Sequence, residues 1–274
     1  MILYHIILLA IIQGLTEFLP VSSSGHLGLY HCFTDQCEYW DSKNLTMDIA
    51  VHVGTLMAVL LYFRTDVLHM LCGVKNIATG NMSSEHSRLT LYILVSSVPV
   101  IVAGFILHNF EPDGLKTIHV IAWTTIIFGI ILWWTDKKSP AERTIKDMTF
   151  KDAVIIGAAQ VLALIPGTSR SGITMTASRY LGLSRVESAH YSMLLSIIAI
   201  SGAGTLVGLS LVESNNISLG FDVIVAVILS FVSGWIAIAV MMKFLKTSTF
   251  TVFALYRVLL GGALLGLLYG GVIS

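Results

Sequence analysis

The sequence predicts an all-α integral membrane protein built as an inverted-topology repeat, with six transmembrane helices and two re-entrant helical hairpins. Three observations carry the prediction. The 274 residues are 55% hydrophobic and 12% charged, with a mean hydropathy of +0.82, whereas roughly a quarter of the residues in an ordinary soluble domain are charged. Long apolar stretches recur along the whole chain. A polar motif rich in serine and glycine occurs twice, once in each half.

The first segment opens on an apolar run from Met1 to Leu19 with no basic region before it and no small-residue cleavage pattern after it, so it is expected to stay in the mature protein. A simple span needs ~20 apolar residues. Gln13 and Glu17 interrupt this run and Pro20 ends it, so residues 2–30 read as a hairpin that enters and turns back. Residues 152–183 read the same way, apolar at first and then rich in Pro, Gly, Ser and Thr. Irregular backbone at membrane depth is tolerated only inside protein or beside a water-filled cavity. The six spans are residues 47–63, 89–110, 118–135, 190–212, 219–243 and 250–273.

Basic residues orient these spans. Segments 64–88, 136–151 and 243–249 hold ten Lys and Arg residues and are expected to be cytoplasmic; 31–46, 111–117 and 213–218 hold two and are expected to face outward. The second hairpin then enters from the cytoplasmic side and the first from outside. Residues 1–135 and 136–274 thus carry one plan in opposite orientations, within a single membrane domain. The motifs agree: QGLTEFLPVSSSG (Gln13 to Gly25) aligns with QVLALIPGTSRSG (Gln160 to Gly172) after one gap, pairing Gln13 with Gln160, Pro20 with Pro166, Ser22 with Ser169 and Ser24 with Ser171. Broken segments at matching positions of such repeats point to a binding site where they meet.

The residues expected at that meeting point suit phosphate chemistry. Gln13 and Glu17 share a helix face, and a carboxylate at membrane depth suggests function by default; the plainer reading is a Glu bonded to the hairpin or snorkelling to the interface. Ser22, Ser23, Ser24 and His26 come after Pro20, where a helix start would offer amides and hydroxyls to an anion. Ser169, Arg170, Ser171 and Thr174 come after Pro166 and Gly167; here the plainer reading is a capped hairpin with Arg170 on a carbonyl or a lipid phosphate. Carboxylate, histidine, hydroxyls and guanidinium on one pocket suit phosphoryl transfer. His52 and Asp48, one turn apart, face either the pocket or the outer surface. Gly202, Ala203, Gly204, Gly208, Gly261, Gly262 and Ala263 allow close packing, around a prenyl groove or simply between helices.

Zero net charge, from 16 basic and 16 acidic residues, excludes a polycationic surface for nucleic acid. Three cysteines without CxxC or zinc spacing exclude a disulfide framework and a structural metal. Cys32 and Cys37 lie in an outward loop where a bridge is open to them, and Cys72 is expected to be free.

QGLTEFLPVSSSGH together with PGTSRSGIT, and MDIAVHVGTLMAVLLYF from Met47 to Phe63, resembles the BacA-type undecaprenyl-diphosphatases through the whole chain. The resemblance implies hydrolysis of undecaprenyl diphosphate to the monophosphate and phosphate, recycling the lipid carrier for peptidoglycan, and bacitracin resistance. It implies a multi-pass protein of the bacterial inner membrane; the side of cleavage stays open, access from the periplasm being one alternative. Gln13 and Glu17 fill the family's (E/Q)xxxE motif, with Gln where many members have Glu; Ser22, Ser23 and His26 fill its hydroxyl and histidine positions; Ser169, Arg170 and Thr174 fill PGxSRSxxT. From these positions a mechanism is expected. Glu17, Ser23, His26 and Arg170 are expected to be catalytic, with Ser23 as candidate nucleophile and His26 or Glu17 as base; direct attack by water, activated by Glu17 or His26, uses the same residues. Gln13, Ser22, Ser169 and Thr174 bind the diphosphate, and Glu17 holds Mg²⁺ or Ca²⁺. Expected partners are the lipid diphosphate, bacitracin as competitor for it, and a second copy of the chain. The competing class is a carrier that binds a phosphorylated lipid or anion at the same pocket without cleaving it.

Overall fold

The computed structural model describes residues 3–33, 45–82, 84–110, 117–213 and 221–271. These residues form helices and no named strand; a single isolated bridge joins Arg143 and Leu183. The first half contains α1 (Leu3–Phe18), α2 (Ser23–Phe33), α3 (Leu45–Tyr62), α4 (Arg64–Ala78), α5 (Glu85–Phe110) and α6 (Ile118–Lys138). The second contains α7 (Phe150–Val161), α8 (Arg170–Tyr180), α9 (Arg185–Glu213), α10 (Phe221–Phe244) and α11 (Thr251–Tyr269).

Among the described residues α5, α6, α10 and α11 are long and apolar enough to cross a membrane. The expected span 190–212 lies inside α9. The expected span 47–63 is α3, and the structure adds something after it. The segment 64–88, read from its basic residues as a loop, holds the helix α4, which bends 87° away from α3 at Phe63. Its helical order comes from packing that polarity concealed. A Cβ on Gly73 would collide with Thr90 Oγ1 and come within 2.8 Å of the His86 carbonyl, so α4 lies directly on α5.

With 16 and 12 residues, α1 and α7 are too short to cross, because a helix rises 1.5 Å per residue against ~30 Å of hydrocarbon. Each turns back into a second short helix, α2 and α8. Close helix approach fixes both arms: a Cβ on Gly14 of α1 would fall 2.8 Å from the Ser230 carbonyl of α10, and one on Gly157 of α7 would fall 2.7 Å from the Ser96 carbonyl of α5. Gly261 of α11 lies as tightly on the Ala122 carbonyl of α6, whereas Gly202, Gly204 and Gly262 face open space. The small residues therefore divide between helix packing and free surface.

Buried ionic pairing fixes the far end of the second hairpin. Asp136, at the end of α6, accepts from Arg179 Nε at 2.9 Å, from Arg185 Nε at 2.8 Å and from the Phe250 amide at 3.1 Å. Arg179 is fully buried, and its remaining donors bond the carbonyls of Pro140, Ser139, Leu183 and Asp136. One carboxylate thus ties α6, α8, α9 and the start of α11 together.

Candidate active site

Both hairpins break at a proline and restart at a serine of unusual backbone. Ser22 (φ 75°) and Ser169 (φ 71°) are the two non-glycine residues with positive φ among those described, a region that costs L-residues roughly 1–3 kcal/mol. The same bonds hold each one. Ser22 Oγ accepts from the Gly25 amide at 3.3 Å and lies 3.2 Å from Ser24 Oγ; Ser169 Oγ accepts from the Gly172 amide at 3.1 Å and lies 3.2 Å from Ser171 Oγ. These serines are N-caps. They start α2 at Ser23 and α8 at Arg170, whose first-turn amides have no intrahelical acceptor.

The two restarts meet at Glu17, in the last turn of α1. Arg170 Nη2 donates to Glu17 Oε1 at 2.8 Å; Ser23 Oγ donates to Oε2 at 2.7 Å, and Gln13 Nε2 donates to the same oxygen at 2.9 Å. His52 Nε2, from α3, lies 3.9 Å from Oε2. A second bond joins the tips directly, from Ser171 Oγ to the Leu19 carbonyl at 2.9 Å. Glu17 is 8% exposed and Gln13 fully buried, so the carboxylate is held by charge and hydrogen bonds in place of water.

Arg257, in α11, was not anticipated from the sequence. It is fully buried, and no carboxylate pairs with it among the described residues. Nη1 donates to the Pro20 carbonyl at 3.3 Å, Nη2 to those of Gly167 at 3.0 Å and Thr168 at 2.9 Å, and Nε to that of Thr125 at 3.1 Å. One guanidinium spans the breaks of both hairpins. The signal was available, since an arginine within an apolar span marks a functional position by default. The second break is also held from α6, where Thr124 Oγ1 donates to the Pro166 carbonyl at 2.6 Å.

The structure therefore brings together Gln13, Glu17, Ser23 and Arg170, with Ser22 and Ser169 as the caps that aim them. It places two other expected residues differently. His26 bonds neither Glu17 nor Ser23: Nδ1 donates to the Ser22 carbonyl at 2.7 Å, and Nε2 meets the Tyr256 hydroxyl at 2.5 Å with the two rings stacked. Thr174 is fully buried beneath α8, its hydroxyl on the Arg170 carbonyl and 2.7 Å from Ser192 Oγ. Back-bonding and helix packing occupy it. Cys72 is free and exposed. Cys37 and the Cys32 side chain, and so the expected bridge between them, lie outside the described residues.

No group of three or more His, Cys, Asp or Glu side chains able to hold a metal exists among the described residues. The oxygens of Glu17 and Gln13 remain. Gln13 Oε1 is buried and without a hydrogen-bond partner. One carboxylate and one amide oxygen fit a hard cation whose other ligands come from substrate phosphate.

The family model for the bacitracin resistance protein BacA matches residues 6–263. The chain belongs to the BacA family. It is similar to an undecaprenyl-diphosphatase of Ruegeria pomeroyi (42% identity, covering 98% of this chain and 100% of the relative). Similar proteins of the same name are found in Hahella chejuensis (45%; 97% and 98%) and Roseobacter denitrificans (44%; 97% and 98%). In this BacA-family chain the two matching motifs form one polar cluster inside a multi-pass helical membrane protein.

Proposed function

We propose that this chain is an undecaprenyl-diphosphatase that hydrolyses undecaprenyl diphosphate to undecaprenyl phosphate and inorganic phosphate, returning the lipid carrier to cell-wall synthesis. Relatives of that name match nearly its whole length. One observation carries the chemistry: Ser23 Oγ donates to Glu17 Oε2 at 2.7 Å while Arg170 occupies Oε1 at 2.8 Å. A hydroxyl on a carboxylate base beside a guanidinium is the arrangement of an activated nucleophile next to a phosphate clamp.

Arg170 and the first-turn amides of α2 and α8 hold the terminal phosphoryl oxygens. Ser23 Oγ attacks the terminal phosphorus and its proton goes to Glu17. The bond from phosphorus to the bridging oxygen breaks, and its electron pair leaves with undecaprenyl phosphate. Water then attacks the phosphoserine, releasing phosphate and restoring the hydroxyl. Ser22 and Ser169 fix the helix starts; Thr174 and His26 hold the scaffold behind them. Glu17 and Gln13 would hold Mg²⁺ or Ca²⁺ together with the diphosphate, and the bound cation would supply positive charge against the phosphate oxygens.

The mirrored bonds of Ser22 and Ser169 support reading residues 1–135 and 136–274 as inverted repeats. The excess of basic residues in 64–88, 136–151 and 243–249 supports placing those segments in the cytoplasm of a bacterial inner membrane. Opening of the site toward the periplasm is part of this reading, as is bacitracin resistance by depletion of the diphosphate that the antibiotic sequesters. The experiment is phosphate release from undecaprenyl diphosphate by detergent-purified protein, with and without chelator. Release that chelation suppresses supports the reading. Binding of the lipid without release would favour a carrier, and full turnover by Ser23→Ala would replace the phosphoserine with direct attack by water.

A further inference from the structure

Two neighbouring residues of α11 hold the breaks of the two hairpins. Arg257 bonds the carbonyls of Gly167 and Thr168 just before the second cap, but it reaches the first hairpin at the Pro20 carbonyl, 3.3 Å away. Tyr256 adds a second hold on that hairpin. Its hydroxyl lies 2.5 Å from His26 Nε2, and its ring stacks on the imidazole with centroids 5.7 Å apart and 6° between the planes. The other ring nitrogen is committed as well: a carbonyl only accepts, so Nδ1 carries the proton and donates to the Ser22 carbonyl at 2.7 Å. Nε2 is then the bare nitrogen, and the tyrosine hydroxyl is the donor.

The Ser22 carbonyl belongs to the cap of positive φ that starts α2 and puts Ser23 at the helix's first position. The backbone bond it accepts, from the His26 amide, is long at 3.3 Å, so the imidazole supplies the shorter one. In the second hairpin the aligned residue is Ile173, which has no side-chain donor, and its amide reaches the Ser169 carbonyl at 2.9 Å. The second cap is thus tightened by its own helix and by Arg257. The first is tightened by an imidazole that Tyr256 holds in place.

We propose that Tyr256 is a positioning residue for the hydrolysis: through His26 it fixes the cap at Ser22, and with it the direction in which Ser23 presents Oγ. This rests on the hydrolase reading of the site, in which Ser23 attacks phosphorus. Ser23 directly follows the cap, so a roll of α2 about its axis swings Oγ away from Glu17 Oε2, 2.7 Å off. A displacement of about 1 Å at a reacting atom costs up to ~100-fold in rate. The oxygens of Glu17 are taken by Arg170, Ser23 and Gln13, so Tyr256 acts at one remove from the cluster. It is 43% exposed, and its hydroxyl can be removed with little loss of packing.

The test is steady-state phosphate release from undecaprenyl diphosphate by purified full-length wild type, Tyr256→Phe and Tyr256→Leu, beside the nitrogen NMR spectrum of histidine-labelled protein in detergent. Tyr269→Phe, also on α11 and 73% exposed, is the control and keeps wild-type release. The expected result for Tyr256→Phe is a kcat loss of about 10-fold or more, with KM within about twofold and a melting temperature within about 4 °C of wild type. Tyr256→Leu shows the same split and covers poor folding of the phenylalanine variant. In the spectrum the bare nitrogen of His26, assigned by its loss in His26→Gln, moves in Tyr256→Phe and stays in Tyr269→Phe. An active wild type with wild-type kcat in both Tyr256 variants would overturn the positioning role alone. So would a raised KM at unchanged kcat, which would put Tyr256 on the substrate itself, or a His26 signal that does not move. No release from wild type would overturn the hydrolase reading and the positioning role with it.

Discussion

Ser22 and Ser169 share one conformation and one set of bonds, although they lie in different halves of the chain. Both have positive φ, both cap a short helix through the amide three residues on, and both meet the hydroxyl two residues on. The residue after the cap differs: Ser23 in the first half and Arg170 in the second. The same turn, formed twice, thus presents a hydroxyl from one side and a guanidinium from the other.

The caps give a stability prediction. Ser169→Ala loses the bond to Gly172 and keeps the unfavourable φ, so it destabilises by about 1 kcal/mol. Ser169→Gly loses the same bond and relieves the backbone, so its melting temperature in detergent lies above that of Ser169→Ala.

Glycine positions can be ranked in the same way. A Cβ on Gly167, whose φ is +86°, would collide with Thr124 Oγ1 and sit 2.6 Å from the Ile121 carbonyl. Gly167→Ala is expected to yield little folded protein. Gly262, with nothing within 4 Å of an added Cβ, should accept alanine within about 0.5 kcal/mol. Yield and thermal unfolding after purification distinguish the two.

Arg257→Met would leave the carbonyls of Pro20, Gly167 and Thr168 without their donor and cost on the order of 3 kcal/mol. Arg257→Lys keeps the charge but not the planar fork that spans both breaks. It should fold better than the methionine variant while still losing most phosphate release, since the hairpin tips are no longer held at a fixed distance.

Gln13 Oε1 is buried beside Glu17 without a hydrogen-bond partner. Ligand charge sets affinity for hard cations, so Gln13→Glu should lower the Mg²⁺ concentration needed for half-maximal release. A titration of activity against free Mg²⁺ checks this, and an unchanged midpoint would remove Gln13 from the cation's surroundings.

The polar cluster was legible in the sequence because each of its members is costly in an apolar chain: Glu17, Ser23 and Arg170 stand out against the residues around them. Their meeting was legible because the motif is repeated. What composition could not give was direction. Thr174 looks like Ser169 in sequence, yet it lies one turn into α8 on the face that packs on α9, where Ser192 takes its hydroxyl. His26 sits within the motif and His52 outside it, and only the fold reveals that the Tyr256 hydroxyl meets the one while Glu17 faces the other. α4 was missed for the opposite reason: its polar residues resemble a loop, and its order comes from contact with α5.

The central claim is that Glu17 of the first hairpin and Arg170 of the second act as one site. A double-mutant cycle on kcat/KM for phosphate release, with Glu17→Gln, Arg170→Gln and the pair, tests it most directly. The account predicts that the double variant loses little more than either single one, because each change already disables the same unit. Losses that multiply would show that the two residues act independently and would contradict the account.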